Sequence, residues 1–341
     1  MATTEPTESQ TMKVAQFSAF GNPEEMIECV DVDDVGEPAA GEVVLDVLAF
    51  PINPADLLLI EGRYATRPPL PARLGAECVG RIAAVGDGVD NVAVGDLVVP
   101  LMRENWVQRR RIKATNVVQV PQDVPVAQLA MLRVNPPTAW LMMKKYVDLH
   151  RGDWLIQDAA NSGVGRCLIK LAKAEGIHTV NVVRRSGLET ELAALGADVI
   201  AVDGPDLAQE VKAATHGAEI RLAIDAIGGE QVTRLGDCLV DEGIILNYGL
   251  LSGKAPRLRA DQTVFRRLWL TGFWLAPWLE NMTMDEVKEL YGMLAARIAD
   301  GTLEVPVEAT YPMEQLKEAV AHAAGYRRAG KILVTPNGPI D

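Results

Sequence analysis

The chain predicts an α/β fold in two parts, a partly open β-barrel and a doubly wound parallel sheet. Three observations carry that prediction. Residues 13–121 are rich in short apolar runs of alternating period, punctuated by Gly and Pro. From about Asn135 the pattern changes to strands alternating with helical stretches, as in βαβ units. Residues 154–165, W-L-I-Q-D-A-A-N-S-G-V-G, read as a buried strand, a tight turn of small residues and the start of a helix.

In the first part the clearest strands are Glu42-Val43-Val44-Leu45-Asp46-Val47-Leu48-Ala49, residues 78–86, and Asp96-Leu97-Val98-Val99-Pro100. In the second part the apolar pair Leu155-Ile156 enters the turn. The helix after the turn buries Cys167, Leu168, Ile169, Leu171 and Ala172. A second strand follows at Thr179-Val180-Asn181-Val182-Val183. Further strands are expected at Val199-Ile200-Ala201-Val202, Leu222-Ala223-Ile224-Asp225, Ile244-Ile245-Leu246-Asn247-Tyr248 and residues 268–273. Six strands with intervening helices make a Rossmann sheet that binds ligands at its switch point. Near Glu304 the strand-rich character returns. A helix over 313–324 and a late strand at Ile332-Leu333-Val334 predict that the C-terminus folds back onto the first domain. The expected domains are 12–133 with 308–341, and 134–307.

The turn is Asn161-Ser162-Gly163-Val164-Gly165. Helix N-terminal amides and the macrodipole favour a bound phosphate, and small residues let the backbone approach it. Against G-x-G-x-x-G, Ala160 and Ser162 replace the first two glycines and only Gly165 fits. Taken alone, such a turn could be an ordinary strand–helix junction. The order strand, turn, helix, second strand favours a dinucleotide. About 20 residues past the turn, an acid would hold a ribose 2′-hydroxyl. Arg184 and Arg185 stand there instead. An acid repels a 2′-phosphate, whereas arginine pairs with it. The expected cofactor is NADPH, and the expected protein a reductase; two solvated surface arginines are the plainer alternative.

Composition excludes several classes. Of 341 residues, 48% are hydrophobic and 23% charged, as in soluble globular proteins. The net charge is −13, and the short run Arg109-Arg110-Arg111 reads as the decoration of one strand edge, so nucleic acid is not an expected partner. Cys29, Cys78, Cys167 and Cys238 are scattered and read as reduced thiols. His150, His178, His216 and His322 show no metal-ligand spacing. Residues 1–11 are polar and acidic and read as a disordered tail without signal- or transit-peptide character. That absence predicts a cytoplasmic protein. No apolar run is long enough to span a membrane.

A barrel, a nucleotide domain and a return to the barrel resemble the medium-chain dehydrogenase/reductase superfamily, from Lys13 to Thr335. The resemblance implies a GroES-like catalytic barrel and a Rossmann domain. Zinc-dependent members carry a cysteine where this chain has Asn53, and G-H-E where it has Gly75-Ala76-Glu77. Their four-cysteine structural lobe has no counterpart between Pro100 and Pro121. No metal is expected. Among zinc-free members the chain resembles the trans-2-enoyl thioester reductases of the mitochondrial type. The resemblance rests on Ile52-Asn53-Pro54-Ala55-Asp56, Gly62-Arg63-Tyr64, Leu70-Pro71, Val134-Asn135-Pro136-Pro137-Thr138-Ala139, the phosphate turn, and Gly272-Phe273-Trp274-Leu275-Ala276-Pro277-Trp278. The last three discriminate; zinc-free quinone reductases share N-P-x-D and G-x-Y.

The resemblance implies reduction of an enoyl thioester: a hydride to the β-carbon, enolate charge on the carbonyl, and a proton to the α-carbon. It implies Tyr64 as proton donor, since a phenol with a pKa of about 10 is protonated at neutral pH. Asn53 would orient Tyr64 or the nicotinamide, or serve the turn before Pro54. Asn135, Thr138, Tyr248, Gly249, Leu250, Phe273, Trp274, Leu275 and Lys331 would contact the cofactor. The alternative for Trp274 and Trp278 is core or a dimer edge. The loop between Pro100 and Trp106 is shorter than the family pattern. A homodimer formed through residues 268–274 is implied. The competing functions are an NADPH:quinone reductase on the same scaffold and an NADPH-binding protein without turnover.

Overall fold

The computed structural model describes residues 11–325 and 328–340. Two compact units emerge: Met1–Val134, Tyr291–Ala299 and Val305–Asp341 form one, and Asn135–Leu290 with Asp300–Glu304 the other. Most of the expected N-terminal tail, residues 1–10, lies outside the described residues. Thr11 does not belong to a tail, because it pairs with Asp33 at the start of the first strand.

The first unit contains β1 (Thr11–Phe17), β2 (Ile27–Asp33), β3 (Glu42–Pro51), β4 (Ala72–Arg73), β5 (Val79–Val85), β6 (Leu97–Pro100), β7 (Arg109–Lys113) and β8 (Val117–Gln119). The long strand β3 organises it. β5 runs antiparallel along one edge of β3, and β7 covers residues 42–46 on the other. Register shifts between β3 and β5 at Val44/Leu45 and Val47/Ala49 mark bulges, which curl a sheet towards a barrel. The enclosed core includes Phe17, Ile27, Ile82 and Trp106, with Phe50 stacked on Trp106 at 5.3 Å between ring centroids.

β3 runs straight into the helix Pro54–Ile60. Pro54 suits a first helical position, because its missing N–H would be unsatisfied there in any case. Asp56 reaches back to take the Asn53 N–H at 3.1 Å. Asn53 therefore sits at the N-terminus of this short helix, and Tyr64 follows its C-terminal end.

The arginine run is β7 itself. Arg109 pairs with Asp34 and Asp46, and Arg111 with Glu42, so neighbouring acids offset two of its charges. Cys78 and Cys167 are buried and Cys29 and Cys238 half-buried, all as thiols rather than disulfides. Burial pushes the Cys78 thiol up to about 12.

The second unit contains β9 (Trp154–Gln157), β10 (His178–Val183), β11 (Val199–Val202), β12 (Ile220–Asp225), β13 (Ile244–Asn247) and β14 (Trp269–Gly272). All pair in parallel in the order β11-β10-β9-β12-β13-β14. The winding reverses between β9 and β12, the switch point at the end of which such sheets bind ligands. The helix Gly163–Glu175 follows β9 and ends at Gly176 in the left-handed conformation, φ 74.

The chain then returns to the first unit through β15 (Val307–Pro312) and β16 (Lys331–Thr335). β16 pairs antiparallel with β3 at Leu333–Pro51 and Val334–Phe50. Between β15 and β16 the expected helix over 313–324 divides. Met313–Gln315 form a tight 3₁₀ turn after Pro312, and the α-helix runs only from Leu316 to Ala324. Among the described residues no helix is long and apolar enough to cross a membrane.

Candidate active site

In the first unit Asn53 is buried and both ends of its amide are engaged. Its Nδ2 donates to Glu77 Oε1 at 2.8 Å, and its Oδ1 accepts from Lys331 Nζ. Glu77 Oε2 accepts the Val134 N–H at 2.9 Å. The chain Lys331–Asn53–Glu77 thus joins the end of β3, the segment before β5 and the first residue of β16. Burial raises the Glu77 carboxyl to about 7, against the opposing pull of Lys331 and the hydrogen bonds from Asn53 and Val134. The partners keep this buried carboxyl and ammonium from being isolated charges. Glu77 received no role from sequence. The available signal was an acid placed between Ala76 and Cys78, both of which are buried.

Tyr64 is half-buried. The Arg103 guanidinium carbon lies 5.1 Å from the centre of its ring. The structure therefore brings Asn53 together with Lys331, a residue expected at the cofactor, and brings Tyr64 together with Arg103, which sequence reasoning missed.

In the second unit Ser162 caps the helix Gly163–Glu175, its hydroxyl accepting the Gly165 N–H at 3.1 Å. Gly165 faces the strand end so closely that a Cβ there would lie 2.6 Å from the Ala160 carbonyl oxygen. That contact is the close helix–strand packing for which such a turn keeps its last glycine. Below it Gln157 Nε2 donates to Gly165 O at 3.0 Å and to Asn181 Oδ1 at 2.8 Å, tying β9, β10 and the helix together. Arg184 and Arg185 stand exposed just past the end of β10.

The ends of β9 and β12 bring two carboxyls together. Asp158 Oδ1 takes the Ala226 N–H at 2.7 Å, and Asp225 takes the Ile227 and Gly228 N–H groups and the Asn247 amide. Burial, and then its hydrogen bond to Asp225, raise the Asp158 carboxyl well above the usual carboxylate range. The neighbouring Asp225 thus adds to burial in favouring the neutral form of Asp158. Tyr248, which follows β13, has its phenol pushed up by burial and then by Asp158, against a hydrogen bond with Ser162. Gly249 and the exposed Leu250 come next.

Asn135 and Thr138 are buried on the helix Asn135–Lys145, and Asn135 Nδ2 is a buried donor with no hydrogen-bond partner. Such an orphan is costly unless a ligand takes it up. Phe273 is buried and Trp274 half-exposed before the helix Leu275–Glu280. Trp278 stacks on Phe273 at 6.3 Å and Tyr146 packs edge-on against both, so Trp278 belongs to an aromatic cluster. Sequence reasoning missed Gln157, Asp158 and the buried Arg166, whose guanidinium pairs with Glu191.

The comparisons with known proteins agree with this architecture. Residues 39–122 match the alcohol dehydrogenase GroES-like domain and residues 163–291 the zinc-binding dehydrogenase domain. The mitochondrial enoyl-[acyl-carrier-protein] reductase of Dictyostelium discoideum is 33% identical, over 82% of this chain and 83% of that protein. Its Rattus norvegicus counterpart is 32% identical, over 92% and 86%. A putative NADPH:quinone reductase from Bacillus thuringiensis has a TM-score of 0.89 at 30% identity, covering 96% of this chain and 100% of that one. An Etr1p/NADP/crotonyl-CoA complex shares the fold, with a TM-score of 0.87 at 24% identity over 96% of this chain and 100% of that chain.

The two folds together are those of a dinucleotide-dependent oxidoreductase. The chain belongs to the medium-chain dehydrogenase/reductase family, in its branch of mitochondrial-type enoyl thioester reductases.

The family model is named for zinc, and the residues present do not suit that metal. An amide at Asn53 and a methyl at Ala76 are not zinc ligands, and the described residues hold no group of three or more His, Cys, Asp or Glu side chains suited to a metal ion. The cytoplasmic assignment is corrected. The enoyl reductase relatives, from Dictyostelium discoideum to Homo sapiens, are named mitochondrial and point away from it. The polar composition of residues 1–11 is therefore a poor guide to location.

Proposed function

We propose that this chain uses NADPH to reduce the 2,3 double bond of a trans-2-enoyl thioester. The observation that carries the reading is the donor set of the first unit. It comprises a half-buried phenol at Tyr64 and an amide at Asn53 locked between Lys331 and Glu77, in a chain that belongs with enoyl reductases. Bound NADPH supplies the hydride to the β-carbon. Tyr64 gives its proton to the α-carbon, and Asn53 orients the reacting groups. Lys331 and Glu77 hold the Asn53 amide in one orientation, which spares its reorganisation during the reaction.

The cofactor residues follow from the same reading. Asn161, Ser162, Gly163, Val164 and Gly165 hold the pyrophosphate. Arg184 and Arg185 take the 2′-phosphate. Asn135, Thr138, Tyr248, Gly249, Leu250, Phe273, Trp274, Leu275 and Lys331 complete the binding surface. The tight helix–strand junction at Gly165 and the orphaned Asn135 amide support the fit.

Quinone reduction is the second reading, favoured by the 30% identity to the Bacillus thuringiensis protein. Following NADPH absorbance with crotonyl-CoA, trans-2-octenoyl-CoA and 1,4-benzoquinone separates the two, with NADH as cofactor control. Turnover with quinone alone would sink the enoyl reading. Tyr64→Phe should lower enoyl turnover about 10²- to 10⁴-fold while leaving NADPH binding intact, the range for general acid catalysis.

A homodimer through β14 belongs to the same proposal. β14 is an edge strand, Trp269 on it is 67% exposed and nearby Phe265 79% exposed.

A further inference from the structure

The loop between β6 and β7 is more elaborately built than a connection requires. Asn105 is buried, donates to the Met102 carbonyl at 2.7 Å and accepts from Arg110 at 2.8 Å. Arg110 also donates to the Arg103 carbonyl, and Arg133 donates to the Leu101 carbonyl. Between these ties Glu104 adopts φ 71, a left-handed conformation that a side chain resists. Gly75 packs beneath the loop, where a Cβ would lie 2.6 Å from the Trp106 backbone nitrogen. The ties set the path of the chain at Arg103.

That path brings Arg103 to the helix Pro54–Ile60 and to Tyr64. Its Nη2 lies 3.7 Å from Asp56 Oδ1 while the guanidinium sits over the Tyr64 ring. Asp56 is fully buried, and its oxygens already take the Asn53 and Ala76 N–H groups. Burial raises the Asp56 carboxyl, and Arg103 is the strongest opposing influence. The arginine is thus anchored on a buried anion while its guanidinium lies against the ring.

We propose that Arg103 is a positioning residue for Tyr64: held by Asp56 and by the strained loop, its guanidinium fixes the phenol ring so that the hydroxyl is presented for proton transfer. The proposal rests on the reading of Tyr64 as proton donor. Proton delivery depends on where the phenol ring is held, and a donor misplaced by about 1 Å can lose about 10²-fold in rate. Lysine would still pair with Asp56 as a point charge, but it lacks the plane that stacks on a ring.

The test is a double-mutant cycle with NADPH and crotonyl-CoA. Arg103→Met should lower kcat about tenfold and Arg103→Lys about threefold, with the KM for NADPH unchanged. On a Tyr64→Phe background both losses should disappear, because a group acting through the phenol has nothing left to act on. Tyrosine labelled with ¹³C at Cζ has one resonance that Tyr64→Phe removes. It should shift in both Arg103 variants. A kcat within twofold of the parent in both variants, or losses that persist in full on the Tyr64→Phe background, would overturn the proposal. Should Tyr64→Phe alone keep full enoyl turnover, the proton-donor reading fails separately. The resonance then decides the positioning role, and an unmoved signal overturns it. Arg103→Lys retains a cation for Asp56, so it keeps the test decisive if Arg103→Met does not fold.

Discussion

Asp158 shows how one side chain can set a pH dependence. Folding raises its affinity for a proton, by burial first and by Asp225 next. Below the ordinary carboxylate pKa, about 3.9, folded and unfolded chains are both protonated, and the pair contributes its full stability. As pH rises, the unfolded chain releases the proton while the folded chain retains it. Stability is then lost progressively until pH passes the raised folded value. Asp158→Asn removes the titrating carboxyl and with it that loss. The variant should gain about 1–2 kcal/mol at pH 8 and little at pH 4, as read by urea unfolding. A parent protein equally stable at both pH values would contradict the raised Asp158 carboxyl.

At the scale of elements, much was legible in the sequence. The six parallel strands each carry an apolar run, and those runs, spaced by helical stretches, located them. The strand–turn–helix junction at 161–165, proposed to hold the pyrophosphate, was legible from its small residues. Glu77, Gln157, Asn181 and the Asp158–Asp225 pair were not assigned, because a buried polar side chain is explained by partners distant in sequence. Gln157 and Asn181 interrupt apolar strands, and that interruption was the visible sign. Gln157 holds both Asn181 and the Gly165 carbonyl. Gln157→Ala should therefore cost about 1–3 kcal/mol of stability, since it strands buried polar groups. NADPH affinity should fall with it, as read by fluorescence titration. A stability loss with unchanged affinity would show that the bridge supports the sheet but not the turn. The single helix expected over 313–324 was read from periodicity, which does not distinguish a leading 3₁₀ turn from an α-helical one.

For the whole molecule, the open question is what covers β14. An edge strand bearing an exposed Trp269 beside Phe265 invites pairing with a second copy. Trp269→Glu should convert a dimer to a monomer in sedimentation at micromolar concentration, with the far-UV circular dichroism unchanged. A parent protein that sediments as a monomer would refute the dimer. On the first unit, Arg109 and Arg111 of β7 are paired with neighbouring acids.

The hydrogen bond from Lys331 to Asn53 joins residues 278 positions apart. On the ribosome, Asn53 emerges long before its partner exists. Until β16 is made, β3 keeps an unfilled edge at Phe50 and Pro51, and the Asn53 amide is held by Glu77 alone. A strand translated this late thus completes the Lys331–Asn53–Glu77 chain, and a chain released before it would carry the turn at 161–165 without that tie. Premature termination before residue 331 should accordingly be a loss of function even where the parallel sheet survives.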